Sequence, residues 1–111
     1  MNLVYVAGPY RGRSESEVFA NIVAARAVAA RIWELGMVAV CPHLNTAFMG
    51  GTVQDSTFLK GDIELMLRCD AVFAMHGHER SQGAKREIDT AKEQDMPVFT
   101  DLGELVKWGN R

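Results

Sequence analysis

Cysteine and proline are scarce in this sequence, and neither sign of charge dominates it. The 111 residues include two cysteines and three prolines, and twelve Lys and Arg against fourteen Asp and Glu give a formal net charge of −2. This balance provides no global field for binding duplex nucleic acid or an anionic membrane surface. Any anion must therefore be bound by a local arrangement of groups. Two cysteines without an export signal are typical of reduced, half-buried thiols.

Long apolar runs are also absent. No stretch approaches the ~20 apolar residues that are needed to cross a bilayer, and no basic leader precedes the first apolar run. We therefore expect a cytoplasmic protein that does not insert into a membrane. Because no repeat, low-complexity tract or linker interrupts the chain, the sequence predicts a single domain over residues 1–111.

Short apolar runs alternate with segments of helical period, a pattern typical of α/β folds. Strands are predicted at residues 3–6, 37–41, 71–75 and 97–100, and helices at 14–35, 55–67, 83–94 and 102–108, with a long loop over 43–54. Right-handed crossovers then give a three-layer, doubly wound parallel sheet of the flavodoxin or Rossmann type, with strands in the order 2-1-3-4.

The ends of two helices carry recognisable signals. Ser14 and Glu17 fit a capping box at the start of the first helix, and Asp55 to Thr57 can cap the second. The first helix is predicted to bury one apolar side, formed by Val18, Phe19, Ile22, Val23, Ala29, Ile32, Trp33 and Leu35. Met66 and Met75 are also predicted to lie in the core.

The strand order predicts where a ligand binds. The order 2-1-3-4 places the switch point between strands 1 and 3, and open α/β sheets bind ligands outside the carboxyl ends of the strands at such a point. The loops at 8–13 and 76–83 converge there, and each precedes a helix N-terminus, which favours an anion such as phosphate. Arg11 and Arg13 flank Gly12 where they could bind that anion. The loop lacks the dinucleotide and P-loop signatures, so an ordinary βα turn is the alternative.

Two carboxylates flank the third strand. Asp62 and Glu87 each fit a solvated helix carboxylate when considered singly. If they lie close together, the charge of one raises the pKa of the other. A carboxylate pair beside a phosphate-binding loop suits chemistry at an anomeric carbon, where one group attacks C1′ and the other orients the sugar or handles the proton of the leaving base.

His43 follows the second strand, and two interpretations of it stay open. An imidazole there could face a base or a sugar and transfer a proton to the departing base, or it could be a packed structural residue. The cysteines and histidines do not have the C-x-x-C or H-E-x-x-H spacing of a zinc site. The sequence therefore predicts no metal.

Four motifs extend over nearly the whole chain, from Leu3 to about Thr100. They read Tyr5-Val6-Ala7-Gly8-Pro9-Tyr10, Cys41-Pro42-His43-Leu44-Asn45-Thr46, Gly61-Asp62 followed by Cys69-Asp70-Ala71-Val72, and Ser81-x-Gly83-x-x-x-Glu87. Together they resemble the nucleoside 2-deoxyribosyltransferase-like superfamily, and most closely a small branch that is common in phages and prophages.

The resemblance implies roles for the matching residues. It implies that Glu87 is the nucleophile and that Asp62 contacts the deoxyribose. It also implies that a substrate 5′-phosphate is bound by Arg11 or Gly12 together with Ser81. The other substrate-binding residues that the motifs imply are Gly8, Pro9, Tyr10, His43 and Gly83. The implied partner is a small-molecule nucleoside or nucleotide, and no cofactor is implied.

The sequence departs from the family pattern before the nucleophile. Transferases of the superfamily usually carry a second Asp there, whereas this chain has Ser81 and Gln82, and Lys85 and Arg86 replace the small residues usual near the catalytic Glu. The departure at Ser81 favours hydrolysis of a monophosphate over base exchange. The predicted function is cleavage of the N-glycosidic bond of a 2′-deoxynucleoside 5′-phosphate or nucleoside, by hydrolysis or transfer, through a covalent glycosyl–Glu87 intermediate. The alternative is a non-catalytic nucleotide-binding or sensor protein of phage or prophage origin.

Self-association is predicted from the small size of the core. A chain of 111 residues buries a modest apolar core, and members of the resembled family complete their crevices with a neighbouring subunit. Phe48, Met49 and Trp108 have no obvious partner within the chain. The sequence therefore predicts a homo-oligomer, in the form of a dimer.

Overall fold

The computed structural model describes residues 1–110, which form a parallel sheet with helices on both faces. The strands are β1 (Leu3–Ala7), β2 (Val38–Val40), β3 (Ala71–Ala74) and β4 (Val98–Phe99). The helices are α1 (Glu15–Glu34), α2 (Pro42–Asn45), α3 (Asp55–Leu67), α4 (Gln82–Glu93) and α5 (Leu102–Gly109), with a short 3₁₀ helix at His78–Arg80.

The sheet has the order β2-β1-β3-β4 with every neighbouring pair parallel, so the predicted fold class and strand order are confirmed. The central strand β1 is buried almost throughout, and its Tyr5 is in register with Val40 of β2 and Val72 of β3. Because successive side chains of a strand point to opposite faces, β1 contributes to two separate cores.

Each face of the sheet has its own core. On one face Val4 and Val6 pack with Ala25, Ala29 and Ile32 of α1 and with Leu105 of α5. On the other face Tyr5 and Ala7 pack with Met66 of α3 and with Ile88 and Ala91 of α4. These cores form the predicted three layers, and the second contains the element pair that carries Asp62 and Glu87.

The predicted buried side of α1 is wrong in part. Ala29 and Ile32 are buried as expected, but Phe19, Val23 and Trp33 are exposed, with 59% of Phe19 and 53% of Trp33 accessible. The helix buries Ala25 and Ala29, whose small side chains bring its backbone close to the sheet. A helix packed this closely has no space for an aromatic ring on its inner side.

The remaining differences lie near element ends. Pro42–Asn45 forms a helical turn, so the predicted loop begins after it. The predicted cap within Asp55 to Thr57 is wrong, since the N-cap of α3 is Gln54, without a side-chain hydrogen bond.

Trp108 has a partner within the chain, because its ring lies 5.6 Å from that of Phe99. The capping box is confirmed at Ser14, which accepts from the Glu17 N–H, while Glu17 bonds Arg13 instead.

Several simpler predictions are confirmed. Met66 and Met75 are buried, and Cys41 and Cys69 are free thiols, the first buried and the second partly so. Within residues 1–110, no helix combines the length and apolar character that crossing a bilayer requires.

Candidate functional site

The centre of the site is a buried hydrogen bond between β1 and α4. The Tyr5 hydroxyl donates to Oε2 of Glu87, which lies in the second turn of α4 and has only 9% of its surface exposed. Glu87 faces the sheet because it shares the inward side of α4 with Ala84, Ile88 and Ala91. The fold thus holds one carboxylate against the middle of the sheet with a hydroxyl donor aimed at it.

Asp62 of α3 belongs to the same cluster. Burial raises the pKa of Asp62 to about 6. Burial also raises the pKa of Glu87 to about 7, and the charge of Asp62 adds to that rise while the Tyr5 hydrogen bond opposes it. Burial, followed by the charge of Glu87, raises the pKa of Tyr5 above its usual range, which keeps the phenol protonated as a donor.

The structure therefore places Asp62 near enough to Glu87 for its charge to raise the pKa of Glu87, and it adds a residue that the sequence prediction missed. The sequence places Tyr5 in a buried strand and in the first family motif but predicts no role for it in the site. The signal that could have found it is its hydroxyl, since a fully buried tyrosine needs a hydrogen-bond partner. A strand otherwise formed of Leu, Val and Ala offers none, so the partner had to come from a packed helix.

The loops after β1 and β3 meet at the carboxyl edge of the sheet. A Cβ on Gly8 would lie 2.5 Å from Sδ of Met75, so only glycine permits this approach. A Cβ on Gly77, whose φ of +88° favours glycine, would lie 3.6 Å from Cγ of Pro9. These contacts agree with the predicted convergence of the two loops beside the switch point.

His43 holds the loop after β1 in place. Its Nε2–H donates to the Pro9 carbonyl over 2.8 Å, and its ring makes an edge contact with Tyr10 at 5.7 Å between centroids. The side chain is 4% exposed, and burial lowers its pKa, so the ring is neutral. Within residues 1–110 its buried Nδ1 atom has no hydrogen-bond partner. The contact with Pro9 accounts for one ring nitrogen of His43, and both interpretations of the residue, contact with a base or sugar and structural packing, stay open.

Arg11 lies at the rim of the site. Its Nη2 atom forms an ion pair with Oδ2 of Asp55 over 2.8 Å, and both side chains are 69% exposed. The side-chain amide of Asn21 donates to the carbonyls of Tyr10 and Arg11 at 3.0 and 3.3 Å. The backbone of this loop is therefore tied to α1, while the guanidinium reaches across to the first residue of α3.

Gly12 and Arg13 contact the first turn of α1. A Cβ on Gly12 would lie 2.4 Å from Cβ of Glu17, so the turn packs tightly on the helix. Arg13 forms an exposed ion pair with Glu17 over 3.1 Å. The structure thus gives both residues contacts with the start of α1, and their predicted contact with an anion stays a prediction.

Ser81 and Gly83 form the opposite side of the site. The Ser81 hydroxyl caps α4 by accepting from the Ala84 N–H, which leaves its own hydrogen free to donate. A Cβ on Gly83 would meet nothing closer than 4.0 Å, from Leu59 and from the Ser81 hydroxyl. The fold therefore leaves room for a Cβ atom at Gly83, beside the Ser81 hydroxyl.

No metal centre is formed by the part of the chain that the structure describes. Residues 1–110 contain no group of three or more His, Cys, Asp and Glu side chains that could hold an ion. The polar groups of the candidate site include its carboxylates, its phenol and Arg11.

Comparison with known proteins gives a family and a fold. A family model described as "Domain of unknown function (DUF7768)" matches residues 2–101. A 2-deoxyribosyltransferase from the psychrotolerant bacterium Bacillus psychrosaccharolyticus, described as a biocatalyst for the synthesis of antiviral and antitumoral nucleosides, has a similar structure. The TM-score is 0.62 at 19% identity, over 86% of this chain and 69% of that one. At this identity the likeness concerns the fold. No curated protein sequence matches this one.

Proposed function

The chain belongs to the DUF7768 family and shares the fold of a 2-deoxyribosyltransferase, and from this premise we propose that it cleaves N-glycosidic bonds. The substrate class is a 2′-deoxynucleoside 5′-phosphate, with the nucleoside as a weaker substrate. Water is the preferred acceptor of the sugar. This substrate class is consistent with the predicted cytoplasmic location of the protein, where free nucleotides occur.

The observation that carries this proposal is the buried Glu87 with Tyr5 as its donor. In the first step a Glu87 carboxylate oxygen bonds C1′ of the sugar, and the bond from C1′ to the base nitrogen breaks. The base leaves with the electron pair and takes a proton from Asp62 or from water. In the second step water attacks C1′ and the bond from C1′ to the Glu87 oxygen breaks, while the proton that the water loses goes to Asp62 or to solvent. Deoxyribose 5-phosphate is released and the Glu87 carboxylate is restored. A second base in place of water gives transfer.

The environment of the two carboxylates supports different tasks for them. The Tyr5 hydroxyl bonds the ionised form of Glu87 and fixes its orientation, as a nucleophile requires. Asp62 has a raised pKa that comes from its burial. It is therefore suited to accept a hydrogen bond from a sugar hydroxyl or to deliver a proton.

The rim supports recognition of a phosphate. Arg11, the free hydrogen of the Ser81 hydroxyl and the open space at Gly83 offer a cation, a donor and room for an anion. Ser81 is also the N-cap of a twelve-residue helix whose positive end favours negative charge. These features support the 5′-monophosphate over the nucleoside.

Base release tests the proposal directly. Each of the four 2′-deoxynucleoside 5′-monophosphates is incubated with the protein, and free base is measured by chromatography. Trapping with a 2-fluoro-2-deoxyribosyl analogue should add the mass of the sugar to the peptide that contains Glu87. Nucleotide binding without release of any base would support the non-catalytic alternative and contradict the enzymatic proposal.

We also propose that the protein is a homodimer. Phe48 is 92% exposed and Met49 is exposed beside it, in the segment between α2 and α3. A second copy that covers these side chains would remove apolar surface from water. Sedimentation at micromolar concentration should give twice the 12.3 kDa of one chain. A mass that stays at one chain over this range would contradict the dimer.

A further inference from the structure

Arg11 already has a negatively charged partner before any substrate arrives. The partner is Asp55, which is 44 positions away in sequence and belongs to a different element. Both side chains are largely exposed, and their charged atoms are 2.8 Å apart. A substrate phosphate that uses this guanidinium must therefore displace or share the Asp55 carboxylate.

The loop geometry leaves the guanidinium as the part that can change partner. Asn21 holds the two carbonyls of Tyr10 and Arg11, and His43 holds the carbonyl of Pro9. The backbone thus stays in place while the exposed side chain turns. Arginine binds both carboxylates and phosphates through the same planar set of N–H groups, so the two anions compete for it.

We infer that Asp55 is an internal competitor for the substrate phosphate, and that it acts as a specificity-determining residue of the site proposed above, on which this inference rests. A phosphate monoester carries between one and two negative charges near neutral pH and presents three acceptor oxygens, whereas Asp55 offers one charge. The dianion can therefore displace Asp55, while ligands with a weaker anion or none leave the pair closed. After displacement, the Asp55 carboxylate remains at the start of α3, where the helix dipole stabilises it.

The test measures binding with and without this competition. Calorimetric titration gives the Kd of a deoxynucleoside 5′-monophosphate and of the matching nucleoside for the wild-type protein and for Asp55→Asn. We expect the substitution to tighten nucleotide binding about two- to fivefold, which is the factor that an exposed ion pair provides. Nucleoside binding should not change. The gain should shrink as salt is added, because salt screens exposed charges.

A matched control separates competition from a change in net charge. Glu64 lies on the same helix and pairs with Arg68 over 3.8 Å. Glu64→Gln therefore removes the same charge from α3 without freeing Arg11, and nucleotide affinity should stay at the wild-type value. In an Arg11→Ala background, Asp55→Asn should have no effect, because the group for which it competes is gone.

The outcomes distinguish this inference from the proposed function. If Asp55→Asn leaves the nucleotide Kd unchanged, or if it acts equally after Arg11→Ala, the inference is overturned even where base release is observed. If binding follows the expected pattern but no base is released, the competition stands and the proposed catalysis fails. Absence of nucleotide binding by the wild-type protein overturns both.

Discussion

The two ends of the site differ in how they are held. At the inner end, Tyr5 and Glu87 are buried between the sheet and α4, and Asp62 is close enough for its charge to act on both. At the outer end, Arg11 and Asp55 meet on the surface with most of each side chain in water. Removing a group from the inner end leaves a buried polar partner unsatisfied, whereas water can replace a group at the rim.

In the proposed mechanism, the buried groups take part in the reaction and the exposed groups determine which substrate binds. A nucleophile has to be held at a fixed position, and packing against the central strand provides that constraint. A group that recognises phosphate has to exchange water or a neighbouring anion for the ligand, which an exposed side chain on a fixed loop does readily. Substitutions at the inner end should therefore act mainly on turnover, and those at the rim mainly on affinity.

The largest effect is expected for Glu87→Gln. This change keeps the size of the side chain but removes the proposed nucleophile, so turnover should fall by at least about a thousandfold. Nucleotide affinity should stay within about tenfold, because a nucleophile contributes to the transition state more than to ground-state binding. Base release and calorimetry measure the two quantities. Turnover near the wild-type level would remove Glu87 from the mechanism.

Tyr5→Phe should have the next largest effect. It removes the donor to Glu87 while the ring stays in the core, and the loss of a hydrogen bond to a charged group predicts a decrease in kcat of about ten- to a hundredfold. The apparent pKa of Glu87 should rise further, because the Tyr5 hydrogen bond lowers it. A pH profile of kcat that does not shift would mean that Tyr5 only fills space.

The pH dependence of wild-type activity should report the titration of Glu87 and Asp62. The proposed nucleophile needs its carboxylate form, and the pKa of Glu87 is raised to about 7. Activity should therefore increase as the pH rises from 5 towards 7, with a loss of about tenfold per unit well below the midpoint. If Asp62 supplies the proton to the base, activity should fall again at higher pH, whereas a proton from water gives a plateau. Asp62 and Glu87 interact, so the midpoint belongs to the pair. Activity that is constant between pH 5 and 8 would contradict this assignment.

The smallest effect is expected at the rim. Arg11→Ala should raise KM for the nucleotide by about tenfold, the lower end of what a hydrogen bond to a charged group provides. KM for the nucleoside and kcat for both should change little. Arg68→Ala is a suitable control, since Arg68 also forms an exposed pair with a carboxylate of α3. An equal rise in KM for nucleotide and nucleoside would place Arg11 away from the phosphate.

The strand order could be predicted from the sequence for clear physical reasons. Buried parallel strands are short apolar runs, and the handedness of crossovers leaves few possible topologies. The helix that carries Glu87 has a strongly amphipathic pattern, so its inward side could be assigned from spacing alone. Ser14 was also recognisable, because a cap depends on residues only three apart.

The rest depended on contacts that spacing does not encode. Phe19 and Trp33 match the helical period, yet alanines form the buried side of α1, because the distance between helix and sheet decides which side chains fit. Tyr5 and Glu87 are 82 positions apart, and Arg11 and Asp55 are 44 apart. Such pairs are determined by the packing of distant elements, so the hydroxyl donor and the anionic competitor appeared only in the structure.

The burial of Glu87 also has a consequence for the free energy of unfolding. The folded chain binds the proton of this carboxyl more tightly than the unfolded chain, whose pKa has the ordinary value near 4.5. The stability linked to this group is therefore fully present below pH 4.5 and decreases as the pH rises to about 7. The ionised state that the proposed mechanism requires of Glu87 is thus the state in which the residue stabilises the fold least. A chain of this size has a small free energy of unfolding. Ionisation of Glu87, which the proposed mechanism requires, lowers that free energy further.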